Sequence, residues 1–216
     1  MRRRGPAAFA LAVALLAAGC GIPLDDSPRA ITANVTKPTT EQQTTSPGNS
    51  AVFLYFLKND HLAGASRDVT DRRLESVLAA VLSGPTAEET SNGLISQIPA
   101  GTTVSSVSDD GQTVRIGISK ELADVVGASR QEAIAQIVFT ATELDGVSTV
   151  GFTVGGKALK VSSPTRGDVE QVSDCDFVVF LPTDDQVRDA NLPADVTRHL
   201  AARRRALASR CPDSGN

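Results

Sequence analysis

Three cysteines, Cys20, Cys175 and Cys211, and two histidines, His61 and His199, are the side chains of this 216-residue chain best suited to covalent or metal chemistry. Neither histidine has a companion at metal-ligand spacing, so each is read as a surface residue and no metal site is expected. Gly151-Phe152-Thr153-Val154-Gly155-Gly156-Lys157 has the glycines and the lysine of a phosphate-binding loop in outline. That chemistry needs the loop to open a helix, so that backbone N–H groups surround the phosphate. Here Phe152 and Val154 alternate as in a strand, and Ala158 stands where a Mg²⁺-binding hydroxyl is needed. No Gly-x-Ser-x-Gly elbow occurs. Asp109 and Asp110 are paired acids in a turn, where solvation accounts for them. The expectation is a non-catalytic protein without a cofactor.

Cys20 closes a different pattern. Arg2, Arg3 and Arg4 precede an unbroken apolar run over 7–18, the layout of a secretory signal peptide. Leu16-Ala17-Ala18-Gly19-Cys20 resembles a bacterial lipobox, with Ala17 where Leu is usual. The resemblance implies that the Cys20 thiol takes a diacylglyceryl group and that cleavage leaves it as the mature N-terminus. A plain signal peptide with Cys20 as a bystander is the alternative. Each buried CH₂ contributes about 0.8 kcal/mol, and two chains anchor durably where one does not. Cleavage would remove three arginines and take the formal charge from −4 to −7. Anionic lipid repels such a domain, so the lipid chains must hold it at the extracytoplasmic face of the cell membrane. Cys175 and Cys211 then remain as an even pair outside the cytosol, where disulfides persist. A bridge would contribute roughly 3–4 kcal/mol, with two free thiols as the alternative.

The elements that carry these residues follow from patterning. Residues 1–19 read as the signal peptide and 20–50 as a lipidated cysteine and a disordered tether. Thr, Ser, Pro, Asn and Gln dominate 25–50 without apolar periodicity, which gives a reach of roughly 25–30 Å. Residues 51–57 (AVFLYFL) predict a buried strand. Residues 70–83 predict a helix with the stripe Leu74, Val77, Leu78, Val81 and Leu82, capped by Asp68 or Thr70 and stopped by Gly84-Pro85. A loop over 91–101 leads to a hairpin of 104–108 and 113–119, turned at Asp110-Gly111. Ser129-x-x-Glu132 reads as a capping box for a second helix, with Ile134, Ile137, Val138 and Ala141 inward and Asp145-Gly146 at its end. Val150, Phe152 and Val154 share a face of the next strand, and Gly155-Gly156 turns it into 158–161. The order β-α-β-β-α-β(β) predicts an α+β fold, a small mixed sheet with two amphipathic helices on one face.

Residues 74–160 resemble a GerMN domain. The resemblance rests on Leu82-Ser83-Gly84-Pro85, on Gly93 to Thr102 (GLISQIPAGT), on Gln136 to Ala141 (QIVFTA) and on Val150 to Gly156 (VGFTVGG). It implies an α+β fold related to ring-building motifs, no catalytic residues, and a place among envelope lipoproteins, including actinobacterial ones that act beside a membrane sensor kinase. Arg outnumbers Lys sixteen to five, which fits a GC-rich actinobacterial genome. Two positions depart from the pattern: Gly117 and Gly155 stand where the family often has Asp. The domain is taken as 51–162 and the C-terminal extension as 163–216.

In that extension, 176–181 (DFVVFL) predicts a further strand. Residues 193–209 predict a helix with Val196, Leu200 and Leu207 apolar and Arg198, Arg203, Arg204, Arg205 and the adjoining Arg210 basic. The arginines form either a docking face or a solvated face partnered by Asp184, Asp185, Asp189 and Asp195; the second is the expectation. Aromatic residues make up 4% of the chain, there is no Trp, and the net charge is −4, which argues against nucleic-acid binding. The function expected is that of a lipid-anchored envelope protein binding a protein partner at the outer face of the membrane. A binder of a small envelope ligand (a peptidoglycan or lipid fragment) and a self-assembling scaffold are the alternatives.

Overall fold

Ser50–Lys58 (β1) and His61–Val69 (β2) form an antiparallel hairpin at the start of the computed structural model, which describes residues 50–211. The expected signal peptide, Cys20 and nearly all of the expected tether lie outside these residues. Every residue from Val52 to Leu57 is buried, because an all-apolar strand needs cover on both faces. Asn59 and Asp60 make the two-residue loop, with φ of 52° and 62°. Such loops need this left-handed backbone, which Asn and Asp tolerate. β2 was not expected. Its Ala63, Gly64 and Ala65 lack the β-branched and aromatic residues that mark strands.

Helix α1 (Leu74–Leu82) begins at the first residue of the stripe, later than the expected start at residue 70. Asp68 lies in β2, and Asp71 accepts a bond from the Arg73 amide (3.1 Å) at the helix entrance. Val77, Leu78 and Val81 are buried as predicted. A short helix α2 (Ala87–Ser91) follows, opened by a reciprocal cap between Thr86 and Glu89. In the loop beyond it, Ile95 exchanges two backbone bonds with Leu57, each 2.9 Å.

Val104–Asp110 (β3) and Thr113–Ile118 (β4) form the predicted hairpin, with the loop at Gly111-Gln112, one residue later than expected. After α3 (Lys120–Asp124) comes α4 (Gly127–Ala141). Ser129 lies inside α4 and does not cap it; Val126 is the N-cap residue, without a side-chain bond. The helix ends at Ala141, ahead of Asp145-Gly146, and the Thr142 hydroxyl donates to the Val138 carbonyl (2.9 Å). Residues 133–141 are buried without interruption, so the C-terminal part of α4 is enclosed on all sides, while its first six residues are exposed or partly so. Thr149–Val154 (β5) runs parallel to β4, and Lys157–Leu159 (β6) returns antiparallel. The mixed sheet has the order β3-β4-β5-β6, and α1, α4 and the sheet share one core. The expected α+β class therefore holds, with the β1–β2 hairpin as a separate two-stranded layer.

Gly117 is closely packed. A Cβ there would come within 2.3 Å of Ser106 Oγ and 3.2 Å of the Ser106 backbone nitrogen, at the irregularity in β3. A side chain at this position requires the Ser105 and Ser106 hydroxyls to turn away and the β3 backbone to give slightly. Gly155, with φ of 55°, sits in the β5–β6 turn.

The extension begins with a second small hairpin, Val161–Ser163 (β7) and Gly167–Val169 (β8). Gln171–Val172 (β9) pairs with β5. Residues 176–181 are not a strand: Asp174–Phe180 is a 3-10 helix. The Asp176 carboxylate accepts from the Ser173 amide (2.7 Å) and receives Arg166 on both oxygens (2.6 and 2.7 Å). These bonds wind the apolar run that an extended reading would leave straight. Helices α5 (Asp184–Asp189) and α6 (Ala194–Arg210) complete the fold. Among the described residues, no helix is long and apolar enough to cross a membrane.

Candidate functional site

The residues that bring chemistry together lie where α6 meets β1. Val196, Leu200 and Leu207 turn inward on α6, as predicted. That orientation places His199 and Arg203, one helical turn apart, against the domain. His199 stacks on Phe53 with ring centroids 3.9 Å apart. The Tyr55 hydroxyl donates to Glu143 Oε1 (2.8 Å), and His199 Nε2 donates to the same oxygen (3.1 Å). Arg203 reaches the Thr142 hydroxyl (2.6 Å), the Thr142 carbonyl (3.2 Å) and Asp174 (2.7 Å), with its Nε 3.6 Å from Glu143. Arg210 closes on the same Asp174 oxygen, Oδ2.

Electrostatics follow from enclosure. Burial pushes the Tyr55 phenol well above its ordinary pKa, and the neighbouring Glu143 charge adds to this. Burial also works against the charge on Glu143. The His199 hydrogen bond and the Arg203 charge outweigh it and hold the carboxyl below its usual range. Asp176 behaves alike: Arg166, the Ser173 amide and Ser163 overcome its desolvation and lower its pKa.

A phenol, a carboxylate, an imidazole and a guanidinium in contact are the parts of a proton-transfer site. Here they serve a seat. Tyr55 is fully buried and the Glu143 oxygen is shared by two donors. The two cavities along β2 are lined by other residues. What the arrangement can do is fix α6 on β1.

Those cavities are the concave surfaces beside the seat. The larger, about 790 Å³, has Gly64, Ala65 and Ser66 of β2 as its floor. Its walls come from Glu89 to Leu94 on one side and Asn191 to Val196 on the other. The smaller, about 200 Å³, continues past His61, Leu62 and Ala63 and shares Lys58 and Leu192 with the first. Gln186 Nε2 donates to His61 Nε2 (2.6 Å), and His61 Nδ1 is enclosed without a partner.

The residues singled out in the sequence fare differently. Cys20 lies outside the described residues. Cys175 and Cys211 form a disulfide, with Cα atoms 5.5 Å apart, joining the 3-10 helix to the end of α6. Asp174 approaches the same two sulfurs. The sulfurs are bonded to each other and Asp174 already receives two arginines, so this trio offers no thiolate for a metal. His61 and His199 are not free surface residues; each is half-buried and hydrogen-bonded. Of the tail arginines, Arg204 pairs with Asp184 as expected, while Arg203 and Arg210 turn to Asp174. The glycine-rich segment 151–157 is a strand and a turn into β6, with no helix after it. Sequence reasoning missed Tyr55, Glu143 and Asp174. The available signal was the His199–Arg203 spacing on an apolar helix face, together with the chain's one Tyr inside an apolar strand.

Residues 53–160, half the chain, match the model of the Germane family, described by sporulation and spore germination. The chain belongs to the Germane family. No curated protein matches it. Among solved structures, the tandem GerMN domains of the sporulation protein GerM from Bacillus subtilis are 20% identical, with a TM-score of 0.47 over 59% of this chain and 47% of theirs. This chain thus spans less than half of that tandem structure. The first GerMN domain of the same protein is 21% identical, with a TM-score of 0.45 over 58% of this chain and 95% of its own. A Clostridium perfringens protein described as a lipoprotein is 17% identical, with a TM-score of 0.39 over 58% of this chain and 88% of its own. The Germane match starts at Phe53, so it includes the β1–β2 hairpin that lies outside the motif-bearing stretch 74–160. It ends at Lys160, the residue before β7 begins. Tyr55 and Glu143 belong to the Germane domain; Asp174, His199, Arg203 and the disulfide belong to the extension.

Proposed function

We propose that this Germane protein is a non-catalytic, lipid-anchored protein of the cell envelope, whose domain binds a protein partner at the outer face of the membrane. The observation that carries the reading is the order of its parts. A basic and apolar leader ends in Leu16-Ala17-Ala18-Gly19-Cys20, a Thr- and Pro-rich stretch follows, and then the Germane domain. Anchoring confines the domain to a thin layer of solvent, so a weak contact gains from raised effective concentration. The polar cluster on β1 supports the same reading, because its groups are spent on holding α6.

The test is Cys20→Ala in the native host, followed by fractionation. Once its leader is cleaved, the variant is expected in the soluble extracellular fraction while the parent stays with the membrane. Membrane retention of the cleaved variant would overturn the anchor. Proximity crosslinking from the native membrane, read by mass spectrometry, is expected to return one recurring envelope protein; a return no different from that of an unrelated lipoprotein would overturn the partner.

A further inference from the structure

β2 has one unused edge. Leu57 gives both its backbone groups to Ile95, the Tyr55 amide donates to Thr140 Oγ1 (3.0 Å), and the Ala51 carbonyl accepts from Arg72 (2.7 Å). The groups of residues 51, 55 and 57 therefore point away from β2. In an antiparallel pair the residues opposite them must also point outward. The register sets Leu62 opposite Leu57, Gly64 opposite Tyr55, Ser66 opposite Phe53 and Asp68 opposite Ala51. β2 pairs with no strand but β1, and among the described residues no hydrogen bond reaches the outward N–H and C=O groups of Leu62, Gly64, Ser66 and Asp68. Proteins usually cover or blunt such an edge. This one forms the floor of the 790 Å³ groove, at Gly64 to Ser66.

We propose that this groove takes an extended peptide of a partner protein, which adds to β2 as a third strand and carries a Lys or Arg side chain toward Asp195. The inference rests on the partner-binding reading above and names its surface. Backbone groups that alternate along a strand are complementary to another extended backbone, the recognition mode in which main-chain bonds supply affinity and side pockets supply choice. The walls set the occupant's width. The α2 helix is tied to one face of the hairpin by Arg67–Glu89 and α6 to the other by His199 on Phe53, so the free edge lies between two walls, a space suited to one extended chain. Charge sets its sign. Among the described residues Asp195, on the α6 side, lines the groove exposed and without an ion pair, and Glu89 is committed to Arg67. The Lys58 ammonium, donating to the neutral Asn92 carbonyl (2.9 Å), keeps its positive charge on the α2-loop side, so the attraction for a basic side chain is local to Asp195.

The test uses the full chain in detergent and soluble octapeptides of alternating Val and Thr with one Lys moved along the sequence. Two further sets carry N-methyl groups on odd or on even residues, so that each blocks one edge of the peptide. Binding is expected for the parent peptides with a preferred Lys position. One methylated set should lose it by about tenfold or more and the other should keep it. Amide exchange at Gly64 and Ser66 should slow on binding. Ser66→Pro removes an outward donor without touching the β1 ladder and should weaken binding about tenfold. Asp195→Arg, an exposed change that spares the fold, should abolish the Lys preference, and it carries the test if Ser66→Pro does not fold. No binding by any peptide, equal binding by both methylated sets, or Gly64 and Ser66 already protected in a protein of doubled mass would each overturn the proposal. If crosslinking finds an envelope partner that leaves these amides free, the functional reading stands and this edge is excluded.

Discussion

In residues 53–160 the buried polar side chains are all uncharged: Thr102, Gln136, Thr140 and Thr142. In residues 161–211 two aspartates, Asp174 and Asp176, are buried to 2% exposure. The Germane domain keeps charge out of its fully buried core, where apolar area acts without direction, and holds Glu143 and the Arg67–Glu89 pair at the partly covered margin. The extension carries carboxylates inside and meets each with arginine. A buried ion pair repays its desolvation only when the geometry is good and the remaining lone pairs are satisfied. Asp176 shows that satisfaction, with Arg166, Ser163 and Ser173 all on its two oxygens. The domain would tolerate approximate packing, whereas the extension seats in one place or not at all.

The sharpest way to break this comparison is to damage each side and see what unfolds. Phe152→Ala, in the domain core, is expected to cost about 3–5 kcal/mol and to lower the denaturant midpoint for the whole molecule. Replacing both Cys175 and Cys211 with Ser should cost roughly 3–4 kcal/mol under the loop-entropy account. Hydrogen exchange in that variant should rise first in α6, with β4 and β5 still protected; simultaneous loss would show that the two regions are one cooperative unit. Asp174→Asn leaves Arg203 and Arg210 facing each other and should cost about 1.5–3 kcal/mol, again localised to α6.

The smallest effect is pH dependence. Glu143 and Asp176 are held below their ordinary values of 4.5 and 3.8, so both remain ionised in the folded protein where the unfolded chain would take up protons. The stability they add is present above the ordinary carboxylate range and is lost as pH falls through it toward their folded values. Urea midpoints measured from neutral pH downward should fall below about pH 4.5. Glu143→Gln with Asp176→Asn should flatten that fall; an unchanged slope would place the acid sensitivity elsewhere.

The same contrast explains what could be read from the chain. The helix stripes at Val77, Leu78 and Val81 and at Ile134, Ile137 and Val138, and the strand alternation at Val114, Ile116 and Ile118, are local periodicities that burial preserves. β2 escaped because small residues give no strand pattern, although Asn59-Asp60 marked its turn. The 176–181 run read as a strand because apolar runs look alike until a distant group intervenes, here Arg166 on Asp176. The seat on β1 escaped for the same reason. Tyr55, Glu143 and Asp174 carry no shared spacing, and only the assembled fold brings them to one place.

Tyr55 and His199 meet across 144 positions of sequence. Among the described residues the first strand is therefore finished by the last helix, and Cys211 comes after that. Contacts of such long span are slow to form because the intervening loop must close first. A nascent chain would hold β1 with one face open until α6 arrives, and in that interval the aromatic pair Phe53 and Tyr55 is a sticky, unfinished surface. Arrival of α6 is thus the event that ends the vulnerability of β1.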